Sequence, residues 1–178
     1  MFAIDVEKVK NGPGAVLPLQ AEAVLDPEAY GFDFQLRGPL RLTGEARNLG
    51  GEAFLLRIQG KLEAELELVC DRCASPFSAN YVVDFAAVYS PVLERFDEKG
   101  EEDIHLFSGD RIDIAEEALQ ELFLALPAKT LCQPDCKGLC PVCGINRNMD
   151  DCSCQTEAID PRLEKLKDFM IEGSKKGV

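Results

Sequence analysis

The chain has 178 residues, 46% of them hydrophobic, with ten Phe and a formal net charge of −13. That length and apolar content suit one domain, or one domain with an appended module, and no run of about 18 apolar residues is present to span a membrane. The charge argues against sequence-independent binding to nucleic acid, which depends on neutralising phosphates with Lys and Arg; it fits a basic protein partner or a well-solvated surface.

The first residues, Met1 to Glu7, lack a basic region followed by an apolar stretch, so they do not read as a signal peptide and the expected location is the cytoplasm. Residues 1–95 read as β. Phe32, Phe34 and Leu36 begin one alternating run, and Phe54, Leu56 and Ile58 another. From Lys61 to Leu68 the alternation is strict, with Leu62, Ala64, Leu66 and Leu68 on one face and Glu63, Glu65 and Glu67 on the other. Tyr81, Val83, Phe85, Ala87 and Tyr89 repeat it. Gly38-Pro39, Gly50-Gly51 and Gly60 read as turns between these runs. The expectation is an antiparallel sheet of about four to six strands. Leu62–Cys70 and Phe77–Tyr89 should form a hairpin with Cys70 and Cys73 at its tip.

Residues 94–103 are acidic and poor in apolar side chains, as expected of a loop between modules. His105, the single histidine, follows between Ile104 and Leu106 and reads as a structural residue. A helix comes next. Asp113 and Glu116 resemble a capping box, Ala115, Leu119, Leu122, Phe123 and Leu126 make an apolar stripe, and Pro127 stops it. A second short helix is expected over residues 160–171, with Asp160 as cap and Pro161 in its first turn. The fold class is therefore α+β: a β-rich core domain with a terminal helix over 1–127, then a cysteine-rich segment and C-terminal helix over 128–178.

The chain carries eight cysteines, six of them between Cys132 and Cys154. Four thiolates that can converge tetrahedrally are a metal-ligand set, and a C-x-x-C segment followed by glycine is the local pattern of a zinc knuckle. The compact set is Cys140, Cys143, Cys152 and Cys154, with Gly144 after the second ligand and Asn146 and Asn148, residues tolerant of left-handed turns, in the loop. A second set is Cys70, Cys73, Cys132 and Cys136, which would clamp the C-terminal segment onto the sheet. With sulfur ligands alone, Zn²⁺ is the first choice, one or two ions per chain, and an iron–sulfur cluster the second. Four sulfurs leave no open position, which favours a structural role over catalysis. The alternatives are a thiol redox or metal-handling protein using Cys70 and Cys73, although no βαβ pattern accompanies that pair, and a set of free thiols in a reducing compartment. No phosphate loop, Rossmann glycine pattern or G-x-S-x-G is present, so the chain does not read as an enzyme.

Four features together carry a resemblance: Cys70-x-x-Cys73 followed by Pro76-Phe77; Leu126-Pro127 ahead of Cys132; the run from Cys136 through Cys140-Pro-x-Cys143-Gly to Asn146-x-Asn148; and Cys152-x-Cys154 followed by Asp160-Pro161-Arg162-Leu163. In these the chain resembles the YceD family of small bacterial and chloroplast proteins, over about residues 10 to 172. Arg147 departs from the pattern, where an apolar residue is expected.

The resemblance implies a role in accumulation, processing or stability of 23S ribosomal RNA, and hence in assembly of the large ribosomal subunit. Family genes often neighbour that of a small zinc-ribbon ribosomal protein, which implies a shared pathway. No catalytic residues carry over. The partner expected is a basic ribosomal protein or a pre-large-subunit particle. For direct RNA contact the local candidates are Lys129, Lys137, Arg147 and Arg162, too few for strong electrostatic affinity.

Overall fold

A computed structural model describes residues 1–10, 12–50, 54–92 and 104–155. The expected loop over 94–103, the expected helix over 160–171 and Arg162 lie outside them. The chain divides into two compact units, one of Met1–Cys70 and Ser75–Cys132, the other of Asp71–Ala74 and Gln133–Val178.

The first unit is built on a six-stranded sheet. Its strands are β2 (Val16–Ala23), β3 (Gln35–Leu36), β4 (Leu40–Gly50), β5 (Leu55–Val69), β6 (Pro76–Ser90) and β7 (Ile104–Leu106). The order is β2-β4-β5-β6-β7, with β3 also pairing β5. The expected hairpin is its spine: β5 and β6 pair antiparallel from Leu56↔Tyr89 to Val69↔Pro76. The period-2 pattern of β5 dictates which face is covered. Leu62, Ala64, Leu66 and Leu68 are buried, while Glu63, Glu65 and Glu67 face solvent.

Three expectations about the sheet need correction. The sheet is mixed, not antiparallel, because β7 runs parallel to the end of β6, with Val88 opposite Ile104. A parallel pair cannot be closed by a tight turn and needs about a dozen connecting residues, which the stretch between Ser90 and Ile104 supplies. Gly60 is not a turn. It sits inside β5 opposite Gly44 of β4, where a Cβ on Gly44 would lie 2.0 Å from the Gln59 carbonyl oxygen and one on Gly60 2.4 Å from that of Thr43. The glycine pair lets two backbones approach more closely than any side chain permits. The run from Phe32 is not an extended strand from its start. Asp26 caps a 3₁₀ turn over Pro27–Tyr30, its carboxylate accepting from the Glu28 N–H, and left-handed Gly31 ends it, so only Gln35–Leu36 pair.

Two short strands far apart in sequence, β1 (Ala3–Asp5) and β8 (Arg111–Asp113), form a second, two-stranded sheet. A one-turn helix, α1 (Glu7–Lys10), follows β1. The expected helix is α2 (Ala115–Ala125), ending ahead of Pro127 and packing on β6. Its core stripe is Ala115, Ala118, Leu119 and Leu122, whereas Phe123 is 46% exposed and meets Phe32 at 5.7 Å between ring centroids. The cap differs from expectation. Ile114 holds the N-cap position with no side-chain bond, and Asp113 belongs to β8. The Asp113 carboxylate accepts from Ala115 N–H at 3.2 Å and Phe2 N–H at 2.8 Å, so it joins the helix start to the N-terminal strand. Among the described residues no helix is long and apolar enough to cross a membrane.

The described part of the second unit is turns and one isolated bridge, Leu139↔Asn146. Of its larger hydrophobic side chains, Leu139, Val142 and Met149 are 41%, 66% and 80% exposed and Ile145 is half-buried, while Cys73, Cys136 and Cys140 are buried. Sulfur, not hydrocarbon, occupies its interior.

Candidate metal centres

The hairpin tip and the cysteine-rich segment share one local device. In Cys70-Asp71-Arg72-Cys73-Ala74-Ser75, the Cys70 N–H donates to the Ser75 carbonyl at 3.0 Å and Ala74 is left-handed at φ 54°. In Cys140-Pro141-Val142-Cys143-Gly144-Ile145, the Cys140 N–H donates to the Ile145 carbonyl at 2.8 Å and Gly144 is left-handed at φ 75°. Each is a knuckle in which the residue after the second cysteine reverses the chain around the first sulfur. Gly144 is visible in the sequence; Ala74 is not, because alanine adopts that conformation only at a cost of roughly 1–2 kcal/mol.

The structure brings the eight cysteines together in the two sets read from the sequence. The Sγ atoms of Cys70, Cys73, Cys132 and Cys136 lie within 4.8 Å of one another, and so do those of Cys140, Cys143, Cys152 and Cys154. None of the eight is disulfide-bonded. Four sulfurs held about 2.3 Å from a tetrahedral zinc stand about 3.8 Å apart, so a contraction of at most about 1 Å per pair completes either site. The donor sets are all sulfur, which suits zinc or another thiophilic ion.

Neighbouring groups fix the sulfurs. Asn148 donates from Nδ2 to the Cys136 sulfur at 3.3 Å, and its Oδ1 accepts from the Lys137 N–H at 2.8 Å. Asn146 Oδ1 in turn accepts from Asn148 N at 3.0 Å and Nδ2 at 2.8 Å. Neither asparagine is left-handed, contrary to expectation: positive φ falls on Gly138 and Gly144 in this segment, and the asparagines act through side-chain hydrogen bonds. Arg72 donates from a guanidinium nitrogen to the Cys136 carbonyl at 3.1 Å, and its own carbonyl accepts from the Leu139 N–H at 3.0 Å. Gly138, at φ 73°, allows that approach, since a Cβ there would lie 2.9 Å from the Arg72 oxygen.

The thiols of the compact set differ in acidity. Backbone N–H groups of Cys143 and Val142 aim at the Cys140 sulfur and hold its pKa down to about 6, burial opposing. Hydrogen bonding with Cys143, burial and the Cys140 sulfur push Cys154 up to about 12. For Cys152 the Cys154 N–H lowers the pKa, but the Cys140 and Cys143 sulfurs and burial together raise it. One sulfur is prepared as a thiolate, and its neighbours resist adding further negative charge unless a cation compensates it.

Outside these clusters, His105 on β7 meets Glu117 of α2 at 3.1 Å from Nδ1 and packs in a tilted arrangement against Tyr89, with ring centroids 5.4 Å apart. Burial raises the Glu117 pKa, with His105 opposing and Glu116 and Asp113 adding to the rise. His105 thus ties β7 to α2, far from the sulfur clusters in sequence. Lys129, Lys137 and Arg147 are exposed.

Residues 58–170, which include all eight cysteines, match the family described as "Large ribosomal RNA subunit accumulation protein YceD". Uncharacterized proteins of Mycobacterium bovis and Mycobacterium tuberculosis are 26% identical over 170 residues, covering 95% of this chain and 81% of theirs. A maize protein, the chloroplastic "Large ribosomal RNA subunit accumulation protein YCED homolog 1", is 25% identical over 129 residues, 56% of this chain and 44% of its own. No solved structure matches.

Proposed function

The chain belongs to the YceD family, and from that membership we propose that it is a non-enzymatic factor in the accumulation of large-subunit ribosomal RNA. It acts in processing or stability of 23S RNA, or in assembly of the large subunit. The observation that carries this reading is the family match across the sheet hairpin and both cysteine clusters. A location in the cytoplasm accompanies it; the maize relative is chloroplastic by name.

Each tetrad holds one structural Zn²⁺, giving two per chain, with Cys70, Cys73, Cys132 and Cys136 as ligands of one and Cys140, Cys143, Cys152 and Cys154 of the other. The bound ion supplies charge compensation and a fixed tetrahedral crosslink. The chain supplies the paired knuckles and the Asn148 contact to sulfur. Convergence of Cys70 and Cys73 with two further cysteines favours this over a redox pair, which needs only two sulfurs.

The factor works through a basic ribosomal protein or a pre-large-subunit particle, which the net charge of −13 suits better than bare RNA. Loss of the gene should lower 23S RNA, and the intact gene should restore it. In a pulldown at moderate salt, ribosomal protein should be recovered; RNA without ribosomal protein sinks the partner reading. Elemental analysis with native mass should give two zinc ions per chain, and zero removes the zinc.

A further inference from the structure

Among the described residues the sheet has a long open edge. On one side β6 is paired along its whole length with β5, but on the other β7 covers only Val88, Tyr89 and Ser90. Among the described residues nothing pairs with the outer side of residues 76–87. The direction of the backbone groups follows from the bonds around it. Arg37 N–H donates to the Glu65 carbonyl at 2.8 Å, so the main-chain groups of Glu65 point toward β3 and away from its β6 partner Asn80. The Glu65–Asn80 pair is therefore a non-hydrogen-bonded one, and the N–H and C=O of Asn80 point outward. By alternation those of Ser78, Val82, Asp84 and Ala86 do too. The Phe107 N–H, which reaches the outward carbonyl of Ser90 at 3.1 Å, confirms the phase. Pro76, which lacks an N–H, falls on the same outward set.

The side chains at this edge are also incompletely covered. On the core face, Leu62 and Leu66 of β5 are fully buried, yet Phe77, Ala79, Tyr81 and Val83 beside them on β6 are only half-buried. On the outer face, Val82 is 59% exposed. The charges behind it are mostly spoken for: Lys61 pairs with Asp84 at 2.9 Å, Arg37 with Glu65 at 3.9 Å, and Arg41 with Glu22 at 3.3 Å. Glu63 and Glu67 have no ion-pair partner among the described residues, so the face carries uncompensated negative charge.

We propose that the outer edge of β6, from Ser78 to Ala86, takes up an extended segment of a basic partner protein as an added strand, with apolar side chains on the core face and Lys or Arg on the outer face. It rests on the protein-partner reading above and specifies how that partner is held. The open ladder supplies main-chain hydrogen bonds; Phe77, Ala79, Tyr81 and Val83 receive the apolar side chains; Glu63 and Glu67 favour the cations.

The probe is a fluorescent twelve-residue peptide alternating Val and Lys. In a strand added antiparallel, residues whose N–H groups face β6 share the outer face with Asn80, so they are the lysines. N-methylation of the lysine amides should weaken binding at least about tenfold, and N-methylation of the valine amides should not, since only the former donate to β6. Asn80→Pro removes an outward donor without touching the β5 ladder and should weaken binding similarly. If that variant does not fold, the methylated peptides, which leave the protein unchanged, decide the matter.

Bound peptide should slow hydrogen exchange at Ser78, Asn80, Val82, Asp84 and Ala86. No saturable binding, or equal loss from both methylated peptides, overturns the proposal. Protection of those five amides without peptide also overturns it: at all dilutions it means the chain covers its own edge, and only at high concentration it means a second copy does. In the pulldown, ribosomal protein recovered equally by wild type and Asn80→Pro refutes the strand-addition site and leaves the partner reading standing. RNA recovered without protein by wild type refutes that reading itself.

Discussion

On the zinc sites proposed above, chelation should unfold the cysteine-rich segment and spare the sheet. The described residues of the second unit have no fully buried apolar side chain besides cysteine: Leu139, Val142 and Met149 are exposed, Ile145 is half-buried, and the buried side chains are Cys73, Cys136 and Cys140. Structural zinc binding in small modules is worth about 10–16 kcal/mol, as large as the whole stability of a typical domain, about 5–15 kcal/mol. No buried hydrocarbon core in residues 133–155 offsets the conformational entropy of ordering them, at about 1–2 kcal/mol per residue. The first unit instead buries leucine, isoleucine and phenylalanine from β4, β5, β6 and α2 in one cluster.

Hydrogen exchange followed by mass spectrometry reads the difference. With zinc bound, the amides of Leu139, Cys140, Gly144 and Arg147, which bond to carbonyls at 2.8–3.0 Å, should be protected. After chelation, or in Cys143→Ser for the compact site, these amides should exchange as in an unfolded peptide while Leu62, Leu66 and Phe85 stay protected. Protection of those four amides after complete zinc removal refutes the reasoning.

Three further outcomes are expected. Asn148→Ala removes the hydrogen bond to the Cys136 sulfur and should weaken zinc binding roughly 10- to 100-fold in competition with a chromophoric chelator; an unchanged affinity means that contact does not tune the metal. Gly44→Ala forces a methyl against the Gln59 carbonyl and should cost about 3 kcal/mol in urea unfolding, with a change under about 0.5 kcal/mol contradicting the close approach of β4 and β5. Glu117 has a folded-state pKa raised chiefly by burial, so its contribution to stability is full below the ordinary carboxylate range and is lost as pH rises through the raised value. Relative to Glu117→Gln, which stays neutral, the wild type should therefore lose stability as pH rises above the ordinary carboxylate range, and a flat difference with pH disproves the shift.

Much of the site was legible in the sequence because it is local. Cys140-x-x-Cys143-Gly144 is a knuckle whose geometry lies within six residues, and the left-handed glycine marks it. The second knuckle was legible only as a cysteine pair. Ala74 takes the strained conformation that Gly144 takes freely, and no residue-type signal reveals that. Asn146 and Asn148 stood out as turn formers, but their hydrogen bonds to one another and to the Cys136 sulfur depend on the folded loop.

The same division runs through the fold. Alternation from Lys61 to Leu68 determined a strand and its buried face, because successive side chains of an extended chain must point to opposite sides. The apolar stripe and Pro127 determined α2 in the same way. Tertiary structure alone decided that Gly60 faces Gly44, that β7 runs parallel to β6, that Asp113 bonds Phe2 across the chain, and that most of the outer edge of β6 is unpaired among the described residues. Periodicity reports the environment of one segment; which segments meet, and which edge is left open, is set by long-range pairing that no local pattern encodes.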